Sequence, residues 1–273
     1  MEFAEAEAFV FDVDGTLVLS DDPNAGGGLE ALTGAAAVLK LLRESGKPFA
    51  CFTNGSGQLP AALAAKLRLA GLDVSDDEML TPPVVAAEYI RRRYAGDPVL
   101  AFGNDGVLEP LRAAGIPLVS VGDATDPGVV LIGADPSFTY DKLEAACRAV
   151  WAGAPLLVTS MASFFASRRG RMPSTSGAIA AGITHVTGAE PVVVGKPSPL
   201  VIEVLAERFG TRPDHMAVVG DDLDLEIRMA RQAGAYSVLV LSGNSHESDV
   251  ALTKAEHQPD LIVPFVGALL NRL

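Results

Sequence analysis

The chain has 273 residues, 49% of them hydrophobic and 20% charged, and a formal net charge of -13 at pH 7. That composition suits a soluble globular protein with a full apolar core, and so acidic a balance argues against nucleic acid or an anionic membrane as general partners, because both require basic surface. Cys51 and Cys147 form no CxxC motif and lie in apolar or helical stretches, which predicts buried free thiols in a reducing compartment. The start of the sequence has neither a basic n-region nor a long apolar core, and no apolar run reaches bilayer length, so the cytoplasm is the expected location.

Short apolar runs alternate with amphipathic stretches. In chain order they predict a strand at Ala8–Phe11, a loop at residues 20–28 (SDDPNAGGG), a helix over 31–44, a strand at Phe49–Phe52 and a helix over 61–70. Strands at Val99–Phe102 and Val129–Ile132 follow, then a helix at Tyr140–Trp151 and strands at Leu156–Val158 and 192–194. A helix over 199–209 and strands at 216–219, 237–241 and Leu261–Val263 complete the series. Gly46, Gly71, Gly115 and Gly234 each follow a helical stretch, where a left-handed cap suits glycine. The alternation is that of an α/β fold with mostly parallel sheets.

Four of the predicted strands end in small polar clusters. Residues 9–11 lead into Asp12 and Asp14, Phe49–Phe52 into Thr53 and Asn54, 192–194 into Gly195 and Lys196, and 216–219 into Gly220, Asp221 and Asp222. Singly, each has a plain reading: an Asp-Gly turn, a helix cap, a loop before a helix-starting proline. Together they predict one shared site at the carboxyl edge of a parallel sheet, where ligands bind.

In this order the clusters FVFDVDGTL (9–17), FTNGS (52–56), VVVGKPSP (192–199) and VVGDDLDLEI (218–227) resemble the haloacid dehalogenase (HAD) superfamily over nearly the whole chain. The stretch between Thr53 and Lys196 is too long for one crossover and carries strand and helix signals of its own. GNDGVLEPLRAAG (103–115), residues 132–150 and VTGAEPVVVGKPSP (186–199) resemble the inserted cap, type C2, of the NagD-like subfamily IIA. The resemblance implies a Rossmann-like core of residues 1–82 and 190–273 and a smaller α/β cap of residues 83–189 that selects the substrate.

It also implies a Mg²⁺-dependent phosphatase of a small phosphorylated metabolite, acting through an aspartyl phosphate. Asp12 is then the nucleophile and Asp14 the acid and base. Asp12, Asp221 and the main-chain carbonyl of Asp14 hold Mg²⁺, and Thr53, Asn54 and Lys196 bind the phosphoryl group. Gly55, Asp222 and Glu226 are further candidates. Asp222 either touches the metal through water or shapes its loop, and Glu226 stands where relatives usually carry Asp, a longer carboxylate that could still reach Lys196. The four histidines show no metal-ligand spacing.

The cap stretch TSMASFFASRRGRMPSTSG (159–177) departs most from similar caps, with Ala162 where an acid is usual. Arg168, Arg169 and Arg171 read either as a solvated basic turn or as a clamp for a second anionic group on the substrate. A homo-oligomer is compatible with the sequence. Two other functions fit the same fold. A dehalogenase is opposed by Asp14. A catalytically degenerate scaffold is opposed by the presence together of Asp12, Asp14, Thr53, Lys196 and Asp221.

Overall fold

A computed structural model describes residues 2–20, 28–167 and 170–273. It divides into two compact units, one of Met1–Thr53, Pro60–Leu80 and Lys196–Leu273, the other of Asn54–Leu59 and Thr81–Gly195.

The first unit opens with β1 (Ala8–Phe11), the antiparallel pair β2 (Val18–Ser20) and β3 (Leu29–Ala31), α1 (Ala35–Glu44), β4 (Phe49–Phe52), α2 (Pro60–Leu69) and β5 (Met79–Leu80). The helix expected from residue 31 therefore starts at Ala35. Leu29–Ala31 keep an apolar spacing that a helix would also show, but their backbone pairs with β2, and Gly34 turns the chain at φ 82°. Of the loop expected at 20–28, residues 21–27 lie outside the described residues.

The second unit contains α3 (Pro82–Arg93), β6 (Val99–Phe102), α4 (Asp105–Ala113), β7 (Leu118–Val119), β8 (Val129–Ile132) and α5 (Tyr140–Trp151). It continues with β9 (Leu156–Val158), the hairpin β10 (Phe164–Ser167) and β11 (Gly170–Pro173), α6 (Thr175–Thr187) and β12 (Val192–Val193). The chain then returns to the first unit through α7 (Leu200–Phe209), β13 (Met216–Gly220), one π-helical turn (Leu223–Ile227), α8 (Arg228–Ala233), β14 (Tyr236–Val240), α9 (Glu247–Val250) and β15 (Leu261–Val263).

In the first unit six parallel strands run in the order β15-β14-β13-β1-β4-β5. All four residues of β1 are buried, as a strand covered on both faces requires. Phe9 and Phe11 join Val38, Leu39, Leu42, Val219 and Leu269 in the core, where each large side chain is worth about 1.5–3 kcal/mol. After β1 the chain goes to β4 on one side, while β13 lies on the other. This is the switch in strand order beside which open α/β sheets bind ligands.

The second unit has its own parallel sheet, β12-β9-β8-β6-β7, packed through Phe102, Ile132, Val158, Ala180 and Ile183. Two expectations change here. The strand at 192–194 does not share a sheet with β1, because β12 pairs with β9; the second unit accordingly runs to Gly195, past the boundary expected at 189. Residues 54–59 also belong to it. Asn104 caps α4 by accepting from the Gly106 amide at 3.1 Å and donates to the Gly57 carbonyl at 3.0 Å, and a Cβ on Gly106 would stand 2.6 Å from the Ser56 carbonyl oxygen. Among the described residues no helix is long and apolar enough to cross a membrane.

Asp135, just past β8, is a buried carboxylate that accepts from Lys142 at 2.7 Å and from the Ser137 amide and hydroxyl. Burial alone would lift its pKa, but the Lys142 and Ser137 bonds outweigh burial and hold it below the usual carboxylate range. A depressed folded value means that the stabilisation is present above the unfolded pKa, about 3.9, and is lost as pH falls through the folded value. Asp135→Asn should therefore cost about 1–3 kcal/mol at pH 7. Urea unfolding at pH 7 and pH 3 checks it; an undiminished difference at pH 3 would rule out the charge as the cause.

Candidate active site

β4, β1 and β13 are neighbours, so Thr53, Asp12 and Asp221 stand at three adjacent carboxyl ends. The Asp12 amide still donates to the Val219 carbonyl at 2.9 Å, which ties its backbone to β13. Beyond it the chain turns sharply. The Gly15 amide donates to the Val18 carbonyl at 2.8 Å and the Leu17 amide to Val13 at 2.9 Å. Gly15 has φ 85°, a conformation that favours glycine, and a Cβ there would stand 2.8 Å from the Asp221 carboxyl carbon.

Lys196 enters this edge with 4% exposure and lies between two equally buried acids, Asp12 at 6% and Glu226 at 2%. Its ammonium pairs with Asp12 Oδ1, with Glu226 Oε1 at 2.6 Å and with the Phe52 carbonyl at 3.3 Å. Burial would lower the lysine pKa, but the charges of Asp12 and Glu226 outweigh it and hold the ammonium above its ordinary value. Glu226 is pushed up chiefly by burial. The group thus keeps a charged lysine beside Asp12, while burial works against the charged form of Glu226.

The reach of Glu226 to Lys196 has a local cause. The Ile227 amide donates to the Asp222 carbonyl at 3.2 Å, a five-residue span, so the chain makes a π turn and carries residue 226 back over the strand end. A Cβ at Gly220 would run into the Glu226 side chain. Asp222 uses both oxygens locally: one accepts from the amides of Asp224 (2.8 Å) and Leu225 (3.2 Å), the other from the Asn244 side chain at 3.1 Å. These bonds fix the shape of the loop after β13.

Asp221 is pushed up to about 6, first by burial and then by the charge of Asp12, against the Asn244 amide and Lys196. Asp14 is exposed, yet its carboxyl is also raised, by desolvation and by Asp12, with Lys196 opposing. Among the described residues Asp12 Oδ2 is buried with no hydrogen-bond partner. Among the described residues no group of three or more His, Cys, Asp or Glu side chains is gathered for a metal ion. Two mutually repelling carboxylates, one with a buried unsatisfied oxygen, nevertheless form a hard-oxygen pair that a divalent cation would satisfy together with a main-chain carbonyl.

Asn54 and Gly55 follow Thr53 in the chain but belong to the second unit. Arg168 and Arg169 lie outside the described residues, and of Arg171 only the backbone is placed, opposite Ala166 in the β10–β11 hairpin. One segment escaped the strand-end reading: Ser242, Gly243, Asn244 and Ser245 follow β14 and contact the loops of Gly15 and Asp221. Small polar residues directly after a predicted strand were the available signal.

Residues 9–117 match the sequence family of haloacid dehalogenase-like hydrolases, and residues 193–269 match a HAD-hydrolase-like family. The ribonucleotide monophosphatase NagD of Escherichia coli (strain K12) is 30% identical over 95% of this chain and 96% of its own. A dihydroxyacetone phosphatase of Corynebacterium glutamicum is 27% identical over 89% of this chain and 84% of its own. The crystal structure of a 4-nitrophenylphosphatase from Thermotoga maritima superposes with TM-score 0.82 at 32% identity, covering 98% of this chain and 97% of that one.

Proposed function

The chain is a phosphoric monoester hydrolase of the haloacid dehalogenase superfamily, in its NagD-like subfamily IIA, and from that premise we propose that it dephosphorylates a small metabolite through a phosphoryl group carried on Asp12. The observation that carries this reading is Asp12 itself: one oxygen paired with Lys196, the other buried and without a hydrogen-bond partner among the described residues. A scaffold gains nothing from such an oxygen, whereas a carboxylate nucleophile uses an oxygen not already committed to a donor.

Asp12 attacks phosphorus, the ester P–O bond breaks, and the leaving oxygen takes the proton of the Asp14 carboxyl. Desolvation and the charge of Asp12 raise the Asp14 carboxyl, a shift in the direction that suits an acid. Water then attacks the acyl phosphate, gives its proton to Asp14 and releases phosphate and free Asp12. Lys196 remains charged beside Asp12 throughout and offsets the anionic charge that builds there. Thr53, at the end of β4, donates its hydroxyl to the phosphoryl group, and Asn54 and Gly55 continue that segment. Asp12, Asp221 and the Asp14 carbonyl would hold Mg²⁺, which when bound neutralises phosphate charge. The inserted unit is assigned the choice of substrate.

p-Nitrophenyl phosphate tests the reading. Turnover should require Mg²⁺, vanish in EDTA and return when Mg²⁺ is restored; full rate in chelator would refute the metal role. A panel of phosphorylated sugars, trioses and nucleotides then identifies the substrate class. Asp14→Asn should slow alkyl esters by about 10²–10⁴-fold and the activated aryl ester much less, because a good leaving group needs little protonation. Equal losses on both classes would make Asp14 a structural residue.

A further inference from the structure

We propose that residues 242–245, Ser-Gly-Asn-Ser, are a clamp that presets the Asp221 carboxylate for its cation, an inference that rests on reading Asp221 as a metal ligand. The carboxylate lies in a slot walled by glycine backbone on both sides. A Cβ on Gly15 would stand 2.8 Å from Asp221 Cγ and 3.2 Å from Gly243 Cα, and a Cβ on Gly243 would stand 2.6 Å from Asp221 Cγ and 2.7 Å from its Cβ. The backbone turn accounts for glycine at Gly15, with its φ of 85°. No such demand exists at Gly243, which is not among the glycines of positive φ; the Asp221 carboxylate is what excludes a side chain there.

Four hydrogen bonds close the slot. The Asn244 amide donates to Asp221 Oδ2 at 2.7 Å and the Ser245 amide to the Asp221 carbonyl at 2.9 Å. The Ser242 hydroxyl donates to the Gly15 carbonyl at 2.7 Å, and the Leu223 amide donates to Ser245 Oγ at 3.1 Å. The segment after β14 thereby pins the loops after β1 and β13 together. Repulsion from Asp12 favours turning the Asp221 side chain out to water. The clamp blocks that rotation before any cation arrives, so less reordering opposes binding.

Mg²⁺ affinity of the metal-free protein, measured by isothermal titration calorimetry, tests the clamp without reference to turnover, with wild type and Asp221→Asn as the limits. Gly243→Ala should weaken Mg²⁺ binding by about 10- to 100-fold, with kcat largely recovered at saturating Mg²⁺. Ser242→Ala, a small deletion at a half-buried hydroxyl, should weaken it in the same direction, and Ser242→Thr should restore it; this pair decides the matter if Gly243→Ala does not fold. If Asp221→Asn loses the metal while Gly243→Ala and Ser242→Ala stay within about twofold of wild type, against the tenfold or more typical of residues supporting a metal ligand, the clamp is overturned and Asp221 remains a ligand. If Asp221→Asn binds Mg²⁺ as wild type does, the reading of Asp221 falls and the clamp with it.

Discussion

Asp12→Asn should abolish turnover, lowering kcat by at least about 10⁴-fold, as loss of a covalent nucleophile does, or roughly 5.5 kcal/mol of transition-state stabilisation. The amide keeps an oxygen for Lys196 but cannot form an acyl phosphate. Folding should survive. With Asp12 neutral, one of the charges that raises Glu226 is gone, so Glu226 ionises more readily and still pairs with Lys196 at 2.6 Å. The stability change should be small next to the loss of rate. Acid-quenched wild-type enzyme should carry phosphate on the peptide containing Asp12, and the variant none. Retained phosphoenzyme in Asp12→Asn would sink the mechanism; retained turnover without phosphoenzyme would point to direct attack by water.

What the sequence made legible is local. β1, β4, β6, β8, β9 and β15 begin and end where their apolar runs do, and Gly46, Gly71, Gly115 and Gly234 all adopt positive φ after their helices. Asp12, Thr53 and Asp221 could be placed together because each follows an apolar run that a parallel sheet buries. Pairing between distant segments was not legible. Residues 192–194 look like any buried strand, and nothing in three valines says that they join β9 rather than β1. The residues after β3 were absorbed into α1 because apolar spacing at three and four does not exclude a short paired segment. The Glu226 contact was obscured for a related reason. Its reach depends on a π turn and on the bare face of Gly220, and a residue count along an ordinary helix places the side chain elsewhere.

Lys196→Met should act on stability and catalysis together, and pH should separate the two. The methionine keeps most of the buried volume but leaves Asp12 and Glu226, both under a tenth exposed, without their cation. Breaking a buried ion pair from one side costs about 3–5 kcal/mol. Glu226, already raised by burial in the wild type, loses the lysine charge that lowers it and rises further. An acid whose folded pKa lies above its unfolded value, about 4.3, favours the folded state at low pH and loses that stabilisation as pH rises through the folded value. The deficit of Lys196→Met should therefore be largest at pH 8, shrink toward pH 5, and shrink at pH 8 when Glu226→Gln is added. Urea unfolding in EDTA measures all three. A deficit equal at both pH values and unrelieved by Glu226→Gln would mean that packing, not charge, is what Lys196 supplies. Where the variant is folded, kcat should still fall by about 10²–10³-fold, the cost of removing a group that stabilises developing anionic charge. The double variant should recover stability without recovering rate, because Glu226→Gln removes a buried negative charge but restores no cation beside Asp12.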